Sequence, residues 1–193
     1  MTRQMTLTQA VFPTDSLAAK LALVLAGSLL VALGARVEVP MLPVPMSLQT
    51  LAISVIGLTY GARLAGVTLL AYLAQGAIGL PVFAGGGAGF AYMMGPTGGY
   101  LVGFAVAAIT MGWLAERGWD KSVASMAGAL LIGNAIIYAF GLPWMAYLFL
   151  ADKGAAWVAQ WGMTNFLLGD ALKLALAALL IPAVWKAVGD ARR

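Results

Sequence analysis

Residues 17–35 read LAAKLALVLAGSLLVALGA, a stretch in which Lys20 is the only charged residue. A helix crosses the roughly 30 Å hydrocarbon core of a bilayer in about 20 residues, so this stretch predicts a membrane-spanning helix. Further apolar runs cover residues 47–60, 64–78, 98–115, 122–142 and 165–185. The sequence therefore predicts an all-α membrane protein in which a single domain, residues 1–193, contains six transmembrane helices.

The composition excludes an ordinary soluble domain and several kinds of chemistry. Hydrophobic residues make up 62% of the chain and charged residues 9%, whereas soluble domains carry about 25% charged residues. The chain contains no cysteine and no histidine, which removes disulfides, the usual zinc ligands and the commonest general base. We therefore predict a protein without a metal site or a cofactor, and a transport or binding protein rather than a membrane-embedded enzyme.

Basic residues mark the ends of the predicted helices. If the N-terminus is cytoplasmic and the spans alternate, the cytoplasmic side receives Arg3, Lys20, Arg63, Arg117, Lys121, Lys186, Arg192 and Arg193. The outer side receives only Arg36 and Lys153. This positive-inside bias favours six spans over four spans with two interfacial segments, an alternative that the short second and third runs leave open. The net charge of +4 then reflects membrane orientation rather than nucleic-acid binding, and residues 1–16 and 186–193 are predicted to be cytoplasmic tails.

Two charged residues, Asp170 and Lys173, lie inside the sixth predicted helix. Each costs about 2.5–3.5 kcal/mol at the centre of a membrane helix on insertion scales. They are three residues apart, so they share one face of the helix and can partly compensate each other. Such residues usually face a bundle interior or a water-filled cavity, which favours a substrate site over the alternative, an ion pair that only stabilises the fold.

A glycine-rich segment, Phe83 to Gly89, follows the third run and lacks the spacing of a phosphate-binding loop. Glycines at this density let the backbone approach a ligand closely, and the aromatic and methionine residues nearby favour an ordered lid over a flexible outer loop. Gln49, near the start of the second run, offers both a donor and an acceptor. It is either a ligand contact or an interfacial polar residue.

A stripe of small residues runs along the first predicted helix, where Ala18, Ala22 and Ala26 recur at every fourth position. Small residues on one face permit close contact between membrane helices. The partner is either another span of this chain or a different protein.

Four segments, in order along the chain, resemble the signature of the BioY biotin transporters. They are residues 44–51 (VPMSLQTL), residues 79–86 (GLPVFAGG), residues 95–101 (GPTGGYL) and Gly169-Asp170-x-x-Lys173. Their order and spacing match from about residue 17 to residue 186. One departure is Leu168, where the family often has proline.

The resemblance implies a six-helix, S-component-like bundle with an outer loop as a lid. Such a chain is the substrate-binding subunit of an energy-coupling-factor (ECF) transporter in the bacterial inner membrane, surrounded by lipid, with both termini cytoplasmic. A scaffold membrane subunit and two ATPase subunits would supply the energy, and the alanine stripe would contact the scaffold. The implied alternative is a solitary secondary transporter of biotin or another small vitamin, alone or as a homo-oligomer.

The implied ligand is biotin, which has a ureido ring, a thioether ring and a valerate carboxylate. Asp170 suits the ureido N–H groups, and Lys173 suits either the ureido carbonyl or the carboxylate. The substrate-binding residues predicted on this basis are Asp170, Lys173, Gln49, Phe83, Gly85, Gly86, Gly87, Tyr92 and Tyr100. The predicted partner-binding residues are Ala18, Ala22 and Ala26.

Overall fold

The computed structural model describes residues 4–12 and 16–191. Its α-helices are α1 (Leu7–Val11), α2 (Leu17–Arg36), α3 (Gln49–Tyr60), α4 (Ala62–Ala77), α5 (Gly89–Met93), α6 (Gly98–Ala115), α7 (Val123–Lys153), α8 (Ala155–Gly162) and α9 (Leu167–Ala191). Two short strands, β1 (Glu38–Val39) and β2 (Met46–Ser47), pair antiparallel around the proline-rich segment. Single 3-10 turns cover Ala84–Gly86 and Thr164–Phe166.

The helices α2, α3, α4, α6, α7 and α9 correspond to the six predicted spans, which confirms the all-α membrane fold. Four stretches are long and apolar enough to cross a bilayer by themselves, namely Leu17–Arg36, Gly98–Ala115, Val123–Lys153 and Ala155–Val188. The other two helices, α3 and α4, have 12 and 16 residues, about 18 Å and 24 Å at 1.5 Å per residue. They are short, as the sequence indicated, and both pack against α6.

The most enclosed helix is α6, whose residues are mostly buried. Small residues let its neighbours approach closely. A Cβ added at Gly112 would lie 2.4 Å from the backbone nitrogen of Ala62, and one added at Gly103 would lie 3.0 Å from the Cα of Ile137. Close backbone contact through small residues is how membrane helices associate without a hydrophobic driving force between them. The core of the bundle therefore forms around α6.

The prediction that the fifth span ends with the apolar run at residue 142, just before Pro143, was wrong. The helix α7 continues through Pro143 to Lys153, for 31 residues in all, or about 46 Å. Proline removes one backbone hydrogen bond, and membrane helices tolerate this because neighbouring groups satisfy the freed carbonyl. The stop comes at Gly154, whose φ of 81° is a left-handed conformation that suits glycine.

The described part of the predicted N-terminal tail is docked on the bundle. Residues Thr6, Leu7, Thr8 and Ala10 are buried, and α1 packs against α3 and α9. The backbone N–H of Gln4 donates to the carbonyl of Glu116 at 2.8 Å. Arg3, Arg192 and Arg193, which were counted as cytoplasmic charges, lie outside the described residues.

Helix directions place the connections at two opposite ends of the bundle. One end holds α1, the turn between α3 and α4, and the loop from Glu116 to Ser122. The other end holds the β1–β2 hairpin, the segment from residue 78 to residue 97, and α8. The prominent cavity of the described protein lies towards this second end.

Candidate functional site

A cavity lies between α3, α6, α7 and α9, beneath the glycine-rich segment. Its empty volume is about 580 Å³, a figure that includes space open to solvent. The lining residues are Val44, Pro45, Met46, Ser47, Gln49, Thr50, Ala84, Tyr92, Thr97, Tyr100, Leu101, Phe104, Ile137, Tyr138, Phe166, Asp170 and Lys173. The walls are thus mainly apolar and aromatic, with a few convergent polar groups.

The predicted charged pair is formed, and it is buried in this cavity. The Nζ of Lys173 lies 2.7 Å from Oδ1 of Asp170. It also donates to the Ser47 carbonyl at 3.2 Å and to Oγ1 of Thr50 at 2.7 Å. Since an ammonium group has three N–H donors, each donor has an acceptor. The Tyr138 hydroxyl donates to Oδ2 of Asp170. Both charges are therefore compensated, as burial at membrane depth requires.

Local geometry explains why the pair stands here. Asp170 lies in the first turn of α9, where the helix dipole favours a negative charge. Gly169 lets β2 approach the helix, because a Cβ there would lie 2.5 Å from the Sδ of Met46. That approach brings the Ser47 carbonyl to Lys173. Leu168, the departure from the family pattern, is exposed, and α9 begins at Leu167 without a proline, so the departure leaves the pair in place.

Gln49 is the first residue of α3 and is 4% exposed. Its Nε2 donates to the Tyr72 hydroxyl at 2.5 Å, and its Oε1 accepts from Oγ of Ser47 at 3.0 Å. It lines the cavity. The side chain is therefore part of the cavity wall and not an interfacial polar group.

The glycine-rich segment is ordered by side chains from the end of α2 and from β1. The Gly85 N–H donates to Oε2 of Glu38 at 2.9 Å, and Arg36 donates to the Pro81 carbonyl at 2.7 Å. Gly85 and Gly86 have φ values of 65° and 74°, which favour glycine. These contacts support an ordered lid over a flexible loop.

The three glycines predicted to bind substrate, at positions 85, 86 and 87, do not line the cavity. Within the glycine-rich segment, Ala84 lines it instead. Gly85 faces Glu38, and a Cβ at Gly86 would lie 3.2 Å from Nη1 of Arg36. Gly87 accommodates the Tyr92 ring, since a Cβ there would lie 2.2 Å from its Cε2. The three glycines therefore lie behind the residues that line the cavity and do not face the cavity themselves.

The aromatic residues occupy two layers. Tyr92 and Tyr100 line the cavity, and the Tyr100 hydroxyl donates to the Gly162 carbonyl at 2.6 Å. Phe83 is fully buried behind Tyr92, with the two rings stacked at a centroid distance of 5.1 Å. Burial raises the pKa of the Tyr92 hydroxyl, so it stays a neutral donor, and it donates to the Ala84 carbonyl at 3.2 Å.

Several lining residues were not predicted. Ser47 and Thr50 flank Gln49 in one of the quoted segments, and that proximity was a usable signal. Tyr138 is a single tyrosine in the apolar run of α7, and nothing in its spacing indicates which face meets the cavity. Among the described residues, no group of three or more acidic, histidine or cysteine side chains could hold a metal ion.

The fold and the cavity together define an all-α membrane protein with a buried site suited to a small polar molecule. The sequence profile of the BioY family matches residues 2–190. The chain belongs to the BioY family, which confirms the resemblance seen in the sequence.

Two relatives and one solved structure illustrate the similarity. The biotin transporter BioY of Rhizobium etli is 35% identical over 166 residues, 81% of this chain and 87% of the relative. The probable biotin transporter BioY of Pyrococcus horikoshii is 34% identical over 151 residues, 78% of this chain and 86% of the relative. These relatives are transporters, in agreement with the prediction of a transport component.

The crystal structure of the S-component for biotin from an ECF-type ABC transporter superposes with a TM-score of 0.74. The match has 22% sequence identity and covers 90% of this chain and 95% of that one. It shows that the chain has the S-component fold.

Proposed function

We propose that this chain binds biotin in the cavity and takes it up as the substrate-specific component of an ECF-type transporter. The observation that carries the proposal is the buried Asp170–Lys173 pair in a cavity with mainly apolar and aromatic walls. The names of the relatives and of the structural neighbour support biotin as the ligand.

Biotin carries groups that complement the pair. Its ureido group offers N–H donors for the Asp170 carboxylate and a carbonyl that would replace one of the three acceptors of the Lys173 ammonium. The pair has no net charge, so a neutral ureido group leaves the buried site neutral. A carboxylate beside Lys173 would add an uncompensated negative charge at low dielectric. We therefore assign the ureido group to the pair and the valerate carboxylate to the open side of the cavity.

The cavity walls supply the remaining contacts. Tyr92, Tyr100 and Phe104 present ring surface to the fused rings of biotin. The segment from residue 79 to residue 97 acts as the lid, held from outside by Arg36 and Glu38. In this arrangement Phe83 and the glycines at 85, 86 and 87 act on the ligand through Tyr92 and Ala84.

The direct test is calorimetric titration of the purified protein with biotin, desthiobiotin, thiamine and riboflavin. We expect biotin to bind, and desthiobiotin to bind more weakly because it retains the ureido group and loses the thioether ring. Thiamine and riboflavin lack a cyclic urea with two N–H donors flanking one carbonyl, so they would not match the Asp170 carboxylate and the Lys173 ammonium together and are not expected to bind. Absence of biotin binding by folded protein would refute the proposal.

The alanine stripe supports the proposed contact with a scaffold subunit. Ala18, Ala22 and Ala26 are all exposed on α2 in the described part of the chain. The stripe is therefore not buried against another span there, which argues against the intramolecular alternative. We propose that the scaffold membrane subunit packs on this face and that two ATPase subunits drive the loaded chain to reorient.

A bulky residue on the stripe tests this contact. Ala22→Trp should abolish uptake in cells that express the scaffold and ATPase subunits, while the purified variant still binds biotin. Ala175→Trp is the matched control, because Ala175 is an exposed alanine on α9. Equal uptake by both variants would contradict the contact. Uptake at the normal level in cells without the ATPases would assign transport to this chain alone or to a homo-oligomer.

We further propose that the chain lies in the bacterial inner membrane with both termini in the cytoplasm. Lys20, Arg63, Arg117 and Lys121 belong to the end that carries α1, whereas Arg36 and Lys153 belong to the cavity end. This asymmetry follows the positive-inside rule. The chain has no cysteine, so Lys20→Cys and Lys153→Cys can be labelled separately with an impermeant maleimide. We expect the reagent to label position 153 but not position 20 in intact cells. The opposite result would show that the termini lie outside the cell.

A further inference from the structure

Tyr72 on α4 is fully buried and lies outside the cavity lining, yet it contacts both the cavity wall and the lid. Its hydroxyl accepts a hydrogen bond from Nε2 of Gln49 at 2.5 Å. The same hydroxyl donates to the carbonyl of Val82 at 3.1 Å. Val82 belongs to the segment from residue 79 to residue 97, so one side chain joins a wall residue to the lid.

The chemistry of these three groups sets the direction of the hydrogen bonds. A carbonyl only accepts, so the single hydroxyl proton of Tyr72 points to Val82. The hydroxyl oxygen is then left to accept from Gln49, which turns the amide nitrogen of Gln49 towards Tyr72. Oε1 of Gln49 accordingly faces Oγ of Ser47 at 3.0 Å. The orientation of a cavity amide is therefore determined by the position of the lid backbone.

Ring contacts reinforce the same connection. The rings of Tyr72 and Phe83 meet edge to face at 5.6 Å, and the Phe83 ring stacks on Tyr92 at 5.1 Å. Gly76 on α4 makes room for this arrangement, since a Cβ there would lie 2.0 Å from Cζ of Phe83. Because Tyr92 lines the cavity, the lid is packed on α4 through Tyr72 and Phe83 and touches the ligand space through Tyr92.

We propose that Tyr72 is a positioning residue that couples closure of the lid to ligand contact at Gln49. With the lid closed, the Gln49 amide is locked, and its second N–H, which has no partner among the described residues, can donate to an oxygen acceptor of the ligand. When Val82 withdraws, the hydroxyl of Tyr72 loses its acceptor and the amide loses its fixed orientation. A ligand that uses this N–H therefore stabilises the closed lid. The inference rests on the proposed biotin site.

The test is the rate at which biotin dissociates from the purified protein. Tyr72→Phe keeps the ring contacts and removes the hydroxyl, and we expect the dissociation rate to rise about tenfold. Tyr60→Phe is the matched control, because the Tyr60 hydroxyl donates to the Leu23 carbonyl at 3.1 Å and Tyr60 does not line the cavity. We expect it to leave the dissociation rate unchanged, even where it lowers the melting temperature.

A double-mutant cycle separates positioning from packing. If Tyr72 acts through Gln49, the Gln49→Leu/Tyr72→Phe protein should release biotin no faster than Gln49→Leu alone. Additive effects, or a normal dissociation rate in Tyr72→Phe, would overturn the inference. Failure of the wild-type protein to bind biotin would instead refute the proposed function and is distinguishable from these results.

A second measurement serves if Tyr72→Phe does not fold. Gln49→Leu removes the hydrogen bond from the cavity side and leaves Tyr72 and every residue of the lid unchanged. We expect faster hydrogen–deuterium exchange at residues 82–87 in the biotin-bound variant than in the biotin-bound wild type. Unchanged exchange there would mean that the lid does not sense Gln49, and the coupling would be wrong.

Discussion

The substitution Asp170→Asn tests the site most directly, because it changes charge with almost no change in shape. Asp170 is 6% exposed; its two oxygens contact Nζ of Lys173 and the hydroxyl of Tyr138. The variant removes the negative charge and leaves the Lys173 ammonium buried among neutral acceptors only, which include the Ser47 carbonyl and Thr50. Both the stability of the protein and its affinity for biotin should fall.

The structure sets the magnitude of each effect. Removing one partner of a buried ion pair costs roughly 3–5 kcal/mol, and the two remaining acceptors of Lys173 place this site towards the lower value. A hydrogen bond to a charged group contributes about 1.5–3 kcal/mol. One such bond from a ureido N–H to Asp170 therefore corresponds to a loss of roughly 10- to 150-fold in affinity.

The assay is titration calorimetry with biotin, paired with thermal unfolding of the same samples. Asp170→Asn/Lys173→Met serves as a charge-balanced variant, which should recover much of the lost stability without recovering affinity. Asp120→Asn is the matched control, because Asp120 is a fully buried carboxylate at the opposite end of the bundle. Unchanged biotin affinity in folded Asp170→Asn protein would refute the assignment of this carboxylate to the ligand.

Three further predictions concern single residues. Tyr138→Phe should weaken biotin binding about tenfold in the same titration, since it removes a donor that orients the Asp170 carboxylate; normal affinity would make Tyr138 a wall residue only. Burial raises the pKa of Asp120 above its ordinary value, so the folded protein holds the carboxyl proton more tightly than the unfolded chain does. The free energy of unfolding should therefore fall as pH rises from the ordinary carboxyl pKa through the higher pKa of the folded protein. Thermal unfolding between pH 4 and pH 7 should show that fall in the wild type and a flatter profile in Asp120→Asn; identical profiles would contradict it. Gly87→Ala should raise the dissociation rate of biotin, because its Cβ would displace the Tyr92 ring; an unchanged rate would show that the ring need not hold its position.

The sequence predicted the helical architecture well where the bilayer imposes the rule locally. The span at residues 98–115 coincides with α6, and the short second and third runs became the short helices α3 and α4. Pro143 shows where local rules stop being sufficient. Whether a proline ends a helix depends on what surrounds the freed carbonyl, and that is a property of the packed bundle.

The binding site divides in the same way. Asp170 and Lys173 are three residues apart on one helix, so the sequence alone predicts that they pair. It also predicts that burying these charges in a membrane costs free energy. Their other partners come from distant positions: Tyr138 lies 32 residues from Asp170, and Thr50 lies 123 residues from Lys173. Such contacts depend on how each helix is rotated about its axis.

By itself, the sequence determined that this protein spans a membrane, belongs to the BioY family and carries a charged pair inside its last helix. Apolar run length, charge placement and residue order are sufficient for those conclusions, because the bilayer penalises every unpaired charge and every unsatisfied backbone group. Only the tertiary structure decided that the glycines at 85, 86 and 87 stand outside the cavity, that Phe83 supports Tyr92 from behind, and that Tyr72 joins Gln49 to the lid. These arrangements arise from close packing between helices, which no periodicity along the chain encodes.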